Sequence, residues 1–246
     1  MQYLRIALRV IGLLAAVTLN AHAKPTITVG YYEFPPISYT DDTGTAKGSA
    51  LNLSHTLLTS QGYDVVFKGL PSARLYAQLI SGEIDLWLGS TDKPDLKDHV
   101  IESSKRISEV TLALYYHPSD PPPQLPNDLH NKSIITITGY SYWPPVTDWL
   151  ADPALHIQAI RTSKHTSGIA MLLRKRGDYL LNYLQPMEDS KQQLGIAELK
   201  LPYLAIRTVP LTFIISKKSA YSKHLLEELE SAYEGHQAAR LSQHNR

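Results

Sequence analysis

The side chains best suited to hold a small molecule in this chain are flat and cluster where a strand should stop. Ile27-Thr28-Val29-Gly30 is a β-branched run that feeds Tyr31, Tyr32, Glu33 and Phe34 and then the stiff pair Pro35-Pro36. Aromatic rings give contact area at low entropic cost and proline locks φ, so the segment predicts a rigid rim. At least one of Tyr31, Tyr32 and Phe34 is expected to stack on a ligand, the alternative being plain packing at a strand end. Three other apolar runs end in a comparable way, at Gly89-Ser90-Thr91-Asp92, Gly139-Tyr140-Ser141 and Arg161-Thr162-Ser163. Glycine, hydroxyls and aromatics in such company suit a small polar solute. Trp87, between Leu86 and Leu88, reads as core. Tyr140, Tyr142 and Trp143 stand equally as cleft or surface residues.

Other chemistries lack their residues. The chain has no cysteine, which excludes disulfides, a thiol nucleophile, cysteine-based zinc sites and a lipid anchor on an N-terminal cysteine. Its histidines form neither HxxxH nor HExxH. Ser54-His55, Ser163 and Ser167 lie outside any G-x-S-x-G setting, and residues 41–48 (DDTGTAKG) carry acids without the P-loop pattern. No catalytic residue, metal or cofactor is expected. Arg174-Lys175-Arg176 is an isolated basic cluster in a chain of formal charge +1, so no nucleic-acid partner is expected.

Residues 1–23 read as a secretory leader, with Arg5 and Arg9 as the basic start, an apolar middle over 10–19 and Ala21-His22-Ala23 as a small-x-small cleavage site. The apolar middle is far short of the ~20 residues that a membrane span needs. Without the leader, 22 basic residues face 23 acidic ones. Export without disulfides predicts a bacterial periplasmic protein.

Strands and helices must alternate to place these strand ends. Residues 49–60 carry Ala50, Leu53, Leu57 and Leu58 at helical spacing, ended by Gly62. Residues 63–67 read as a strand, 71–80 as a helix opened by Pro71 and followed by Gly82, and 84–88 as the third strand. This βαβαβ order predicts a parallel sheet. Residues 109–117 are extended, and five prolines between 118 and 126 then break the pattern. It restarts with a strand at 133–138, a short helix at 145–150, a strand at 157–160, a helix at 166–176 and a strand at 179–183. A last strand at 211–216 and an amphipathic helix at 220–240 follow. Two βα units joined by extended crossings predict two lobes, with ligand in the cleft beyond the carboxyl ends of the strands.

The strand-to-Pro-Pro opening, Gly48 and Gly62 around the first helix, and Ser81-Gly82-Glu83-Ile84-Asp85 before the third strand come in a telling order. Asp128-Leu129, Gly139 and Arg176-Gly177-Asp178 complete it. On these landmarks the chain resembles the periplasmic solute-binding proteins of the amino-acid type, solute-binding family 3, over nearly all of residues 26–235. The resemblance implies a two-lobed α/β fold (type II), hinge closure on a small ligand, and an ABC permease as membrane partner. Its lobes would be residues 24–109 with 211–246 returning to them, and 110–210.

The resemblance also implies ligand positions. Members that bind α-amino acids carry an arginine where this chain has Lys97, and a carboxylate where it has Tyr183, next to Asn182. Lysine is a point charge rather than a planar fork, and a phenol cannot balance an ammonium. Phe34 keeps the stacking aromatic, and Gly89, Ser90 and Asp92 keep part of a hydroxyl-and-amide loop. Arg74 or Arg161 could replace the anionic anchor, Arg74 being favoured by its place at a helix start. Glu33, Asp92 or Glu188 could replace the cationic one. The expected ligand contacts are therefore Tyr31, Tyr32, Glu33, Phe34, Arg74, Gly89, Ser90, Asp92, Lys97, Gly139, Tyr140, Ser141 and Tyr183. A monomeric solute binder is the leading expectation. A dehydratase of cyclic carboxylic acids using Glu33, or a sensory module reporting to a membrane partner, are its rivals.

Overall fold

The structure, a computed structural model, describes residues 25–140 and 142–244. The leader expected over 1–23 and the ligand contact expected at Ser141 lie outside those residues. Among the described residues eleven strands and six α-helices follow one another. They begin β1 (Thr26–Tyr31), β2 (Tyr39–Thr40), β3 (Ala46–Lys47), α1 (Ser49–Ser60), β4 (Asp64–Gly69), α2 (Ser72–Ser81), β5 (Leu86–Ser90), β6 (Val100–Glu102) and β7 (Ser108–Tyr116). They continue β8 (Ser133–Ile137), α3 (Val146–Ala151), β9 (Gln158–Thr162), α4 (His165–Leu173), β10 (Tyr179–Tyr183), α5 (Leu184–Gln193), β11 (Tyr203–Ser216) and α6 (Ser222–His244). Among the described residues no helix is long and apolar enough to cross a membrane.

Nine strands form one sheet in the order β4-β1-β5-β11-β7-β10-β8-β9, with β6 also on β11. β1 runs parallel to β4 and β5, and β8 parallel to β9 and β10. Each half thus places its first strand between its second and third. The two halves share a fastening as well. Asp85 accepts the N–H of Thr28 in β1 at 2.8 Å, and Asp178 accepts the N–H of Ser133 in β8 at 2.8 Å. Both carboxylates precede the third strand of their half and clamp it to the first.

Two antiparallel strands join the halves. β11 pairs with β7 from Tyr203 to Leu211, and with β5 from Leu211 to Ile215. The expected last strand at 211–216 is therefore only the end of a strand of 14 residues. Pro210, which favours edges and breaks, and the polar Arg207-Thr208 hid its first part. α5 also escapes the sequence pattern: Pro186 lies in its first turn, where the missing N–H costs nothing. α4 stops at Leu173, because Lys175 turns to φ 51°. The third strand of the first half takes in Gly89 and Ser90, which were expected just past its end.

The core lies on both faces of the sheet. α1 buries Ala50, Leu51, Leu57 and Leu58, and α6 buries Leu225 and Leu229 in the same cluster as Phe213 of β11. Ile169, Leu172 and Met187 pack a second cluster with Ile135 and Leu180 under α4 and α5. The turn from Phe34 into α1 depends on Gly48, whose φ is 123° and whose Cβ would stand 2.2 Å from the Ile37 carbonyl oxygen. Only glycine meets both conditions.

Candidate functional site

The carboxyl ends of β1, β5, β8 and β10 meet where the halves face each other. Strand alternation decides which aromatic of the first rim takes part. Tyr31 points back into the first half, its hydroxyl 3.0 Å from Thr40 Oγ1. Tyr32 and Phe34 face across the gap. A tight turn holds them: Phe34 donates its N–H to the Ser38 carbonyl at 2.7 Å, and Ser38 Oγ donates to the Tyr32 carbonyl at 3.0 Å. Trp87 of β5 lies behind Tyr32, ring centres 5.8 Å apart, and Tyr76 of α2 lies 5.5 Å beyond it. The indole folds over Gly89, where any Cβ would come within 2.0 Å of it. Trp87 is buried, as a core residue would be, yet it also forms the floor of the gap.

The second wall is built around one histidine. His165, at the start of α4, has Nε2 2.8 Å from the Tyr140 hydroxyl and Nδ1 3.0 Å from Asn182 Oδ1. The Tyr183 N–H donates to the same Asn182 oxygen at 2.9 Å. That oxygen is thus an acceptor, so His165 Nδ1 carries the proton and Nε2 accepts from Tyr140. Burial pushes His165 down to about 4, which keeps the ring neutral, although the Asn182 hydrogen bond opposes the shift. Asn182 Nδ2 is buried without a partner. Trp143, from the segment after β8, and Tyr183, at the end of β10, complete this wall.

The two walls touch. Phe34 stacks on Tyr140 with centres 5.1 Å apart and meets Tyr183 edge-on at 5.2 Å. Ser72 Oγ, at the start of α2, donates to the Gly139 carbonyl at 2.7 Å. Lys93 Nζ sits 3.8 Å over the Trp143 ring. The space left between Tyr32, Phe34, Ser90, Trp143 and Tyr183 is about 20 Å³, room for about one water. At this centre the halves touch, and a wider space of about 430 Å³ stays open beside it, between Tyr32, Glu33 and Ser72 of the first half and Thr138, Tyr140 and Ser163 of the second.

The electrostatics of this centre are those of neutral rings. Burial raises the phenols of Tyr32, Tyr140 and Tyr183 well above their ordinary value, so they stay protonated. Burial pushes Lys93 down to about 7, against a small opposing pull from Asp95.

The structure brings Tyr32, Phe34, Gly89, Ser90, Gly139, Tyr140 and Tyr183 together. Glu33 stays at the outer mouth, exposed, its carboxylate accepting the Thr40 hydroxyl at 2.8 Å. Arg74, Asp92 and Lys97 are exposed, and so is Arg161. Arg74 lies opposite the buried Leu75, Tyr76 and Leu79 of its helix. Lys97 ends a 3₁₀ turn in which Leu96 is fully buried; residues three apart share a face there, so Lys93 points inward and Lys97 outward. Glu188 is tied to Lys191 at 2.9 Å. His165 and Asn182 in the second wall, and Tyr76 and Lys93 packed against the rings Trp87 and Trp143, were not selected by sequence reasoning. Lys93 has no local signal apart from its distance of three residues from the apolar Leu96.

Among the described residues no group of three or more histidines, aspartates or glutamates could hold a metal ion. A family model described as bacterial extracellular solute-binding proteins, family 3, matches residues 27–243. No curated protein matches the chain. Among solved structures, an ancestral arginine-binding protein bound to arginine is 21% identical, with a TM-score of 0.71 over 88% of this chain and 94% of that one. A histidine kinase sensor domain with similarity to periplasmic binding proteins is 17% identical, with a TM-score of 0.71 over 89% and 95%. The ancestral amino acid-binding protein AncCDT-1, a precursor of cyclohexadienyl dehydratase, is 16% identical, with a TM-score of 0.67 over 87% and 89%. At such identities the likeness to these structures is one of fold. The family match takes in both walls of the cleft and both strands that join them, and by it the chain belongs to the bacterial extracellular solute-binding proteins, family 3.

Proposed function

We propose that this chain is an exported binding protein that traps a small polar or amino-acid-like solute between its lobes and presents the closed form to a membrane transporter. The observation that carries the reading is the meeting of four strand ends, two from each half, at one aromatic-lined gap. In open α/β sheets that is where ligands lie. The lobes would be residues 24–109 with 211–246, and 110–210, hinged where β7 and β11 pass between them near Glu109 and Pro210. The leader expected at the start of the chain, the lack of cysteine and the family's extracellular character support a periplasmic location. We take the protein to act as a monomer.

Binding is favoured over catalysis by the state of Glu33. Its carboxylate is already engaged by the N–H and hydroxyl of Thr40 at the mouth. The test is a thermal-shift screen of the mature chain against amino acids, amines, organic acids and short peptides. Stabilisation by one solute class, without turnover of that solute, is the expected result. A folded protein that no small solute stabilises would contradict the reading.

A further inference from the structure

A second space opens in the first half, between α1 and the outer turns of α6. Its volume is about 430 Å³, in the range of about 300–1,000 Å³ typical of small-molecule sites. Every residue that lines it precedes Glu109 or follows Pro210, and none of the rings of the cleft is among them. It therefore belongs to the first half alone. The pattern of α6 accounts for it. Leu225 and Leu229 are fully buried in the core, and the same helical face continues through Tyr233, His236 and Arg240. The face turns from apolar to polar where the helix passes over the space, and those three side chains line it.

The lining is polar on one side and apolar on the other. His236 Nδ1 is buried with no hydrogen-bond partner. Arg240, one helical turn further, has no ion pair among the described residues. Tyr233 is held in place, its hydroxyl accepting from Gln237 Nε2 at 2.6 Å. Opposite them lie Leu53 of α1, Leu88 of β5, and Ile107 with Leu211, joined by a backbone hydrogen bond of 2.9 Å. No acidic residue lines the space. The nearby acids of α6 are engaged elsewhere, Glu230 by Ser103 and Glu234 by Lys105. A ligand ammonium would find no carboxylate here. A ligand anion would find a guanidinium and a buried nitrogen that lacks a partner.

We infer that this space is a second binding site, separate from the solute cleft, for a monoanion with an apolar tail. The tail lies on Leu53, Leu88, Ile107 and Leu211, where it displaces water from apolar surface. The anionic oxygens accept from the Arg240 guanidinium and from His236 Nδ1, giving the buried nitrogen the partner it lacks. The inference stands apart from the solute-binding reading, and the failure of either leaves the other untouched.

The experiment uses matched probes on the mature chain. An octyl and a phenylpropyl tail are each offered as carboxylate, alcohol and amine, and affinities are read by calorimetry. For at least one tail the carboxylate should bind at least tenfold tighter than its alcohol and amine. Arg240→Gln should weaken that carboxylate about tenfold while leaving the alcohol within threefold. His236→Phe should weaken the carboxylate as well. Leu53→Trp, which fills the space, should abolish its binding, whereas Phe34→Ala in the cleft should leave its affinity within threefold. Nuclear Overhauser contacts should join the tail to the methyl groups of Leu53 and Ile107. Circular dichroism verifies that each variant folds. Failure of both carboxylates to bind, equal binding of an amine or alcohol, or carboxylate binding that survives Leu53→Trp overturns the inference. So does binding that Phe34→Ala abolishes, which would assign the probe to the cleft.

Discussion

Burial lowers both Lys93 and His165 below their ordinary values. For Lys93 the structural cost has a direct consequence. Replacing Lys93, whose charge burial disfavours, by an apolar side chain of similar length should stabilise the fold by about 1–2 kcal/mol, so Lys93→Met should raise the urea midpoint of the ligand-free protein. An unchanged or lowered midpoint would mean that Lys93 is better compensated than its surroundings indicate. His165 gives a pH effect whose sign is fixed by burial, which pushes it down to about 4. An unfolded histidine titrates near 6.5, so the unfolded chain takes up the proton first as the pH falls. The stability that neutral His165 contributes is complete above about 6.5 and is lost as the pH falls towards about 4. Its partners do not interfere there: Tyr140 stays protonated throughout, and Asn182 does not titrate. We expect the wild type to lose about 1–3 kcal/mol more than His165→Gln over that window, measured by urea denaturation at each pH. Neither of these two residues was legible in the sequence, where one lysine or histidine looks like another. Tyr32 and Phe34 were legible as a pair of candidates, but only the two-residue period of β1, seen in place, separates them from Tyr31.

The strands and helices carry the clearest trace of the sequence pattern. Residues 49–60 form the expected helix because their apolar side chains recur at its period and Gly48 starts it. The parallel runs at 26–31 and 133–137 follow from β-branched residues in a βαβ order. What escaped is what tertiary context overrides. β11 carries Pro210 in mid-strand, and α5 has Pro186 in its first turn and a mostly polar exposed face. The paired clamps give a prediction at this scale. Asp85→Ala removes acceptors for the Thr28 N–H and the Ser219 hydroxyl, and Asp178→Ala removes them for Ser133 N–H and Oγ. Each should cost about 1–3 kcal/mol by leaving donors unpaired. Asp85, the more buried, should cost more. Equal stability of either variant and the wild type would show that the third strands need no clamp. Gly89→Ala should cost about 1–3 kcal/mol by overpacking against the Trp87 indole, with tryptophan fluorescence reporting the displaced ring.

At the scale of the molecule, two halves of matching topology share one sheet through β7 and β11, and their strand ends close on each other. On the proposed reading, such a design would turn ligand contact into a change of shape, because a solute that touches both walls would favour the closed arrangement by its differential affinity. The chain has no cysteine, so labels can be placed at will. Ala77 on α2 and Ala154 on the second half are both exposed. The most direct test is the distance distribution between spin labels at Ala77→Cys and Ala154→Cys, recorded without and with a solute that stabilises the protein. Solute should collapse a distribution containing open forms onto the short distance that this structure gives. One unchanging distribution, with a solute demonstrably bound, would contradict a cleft that closes on its ligand.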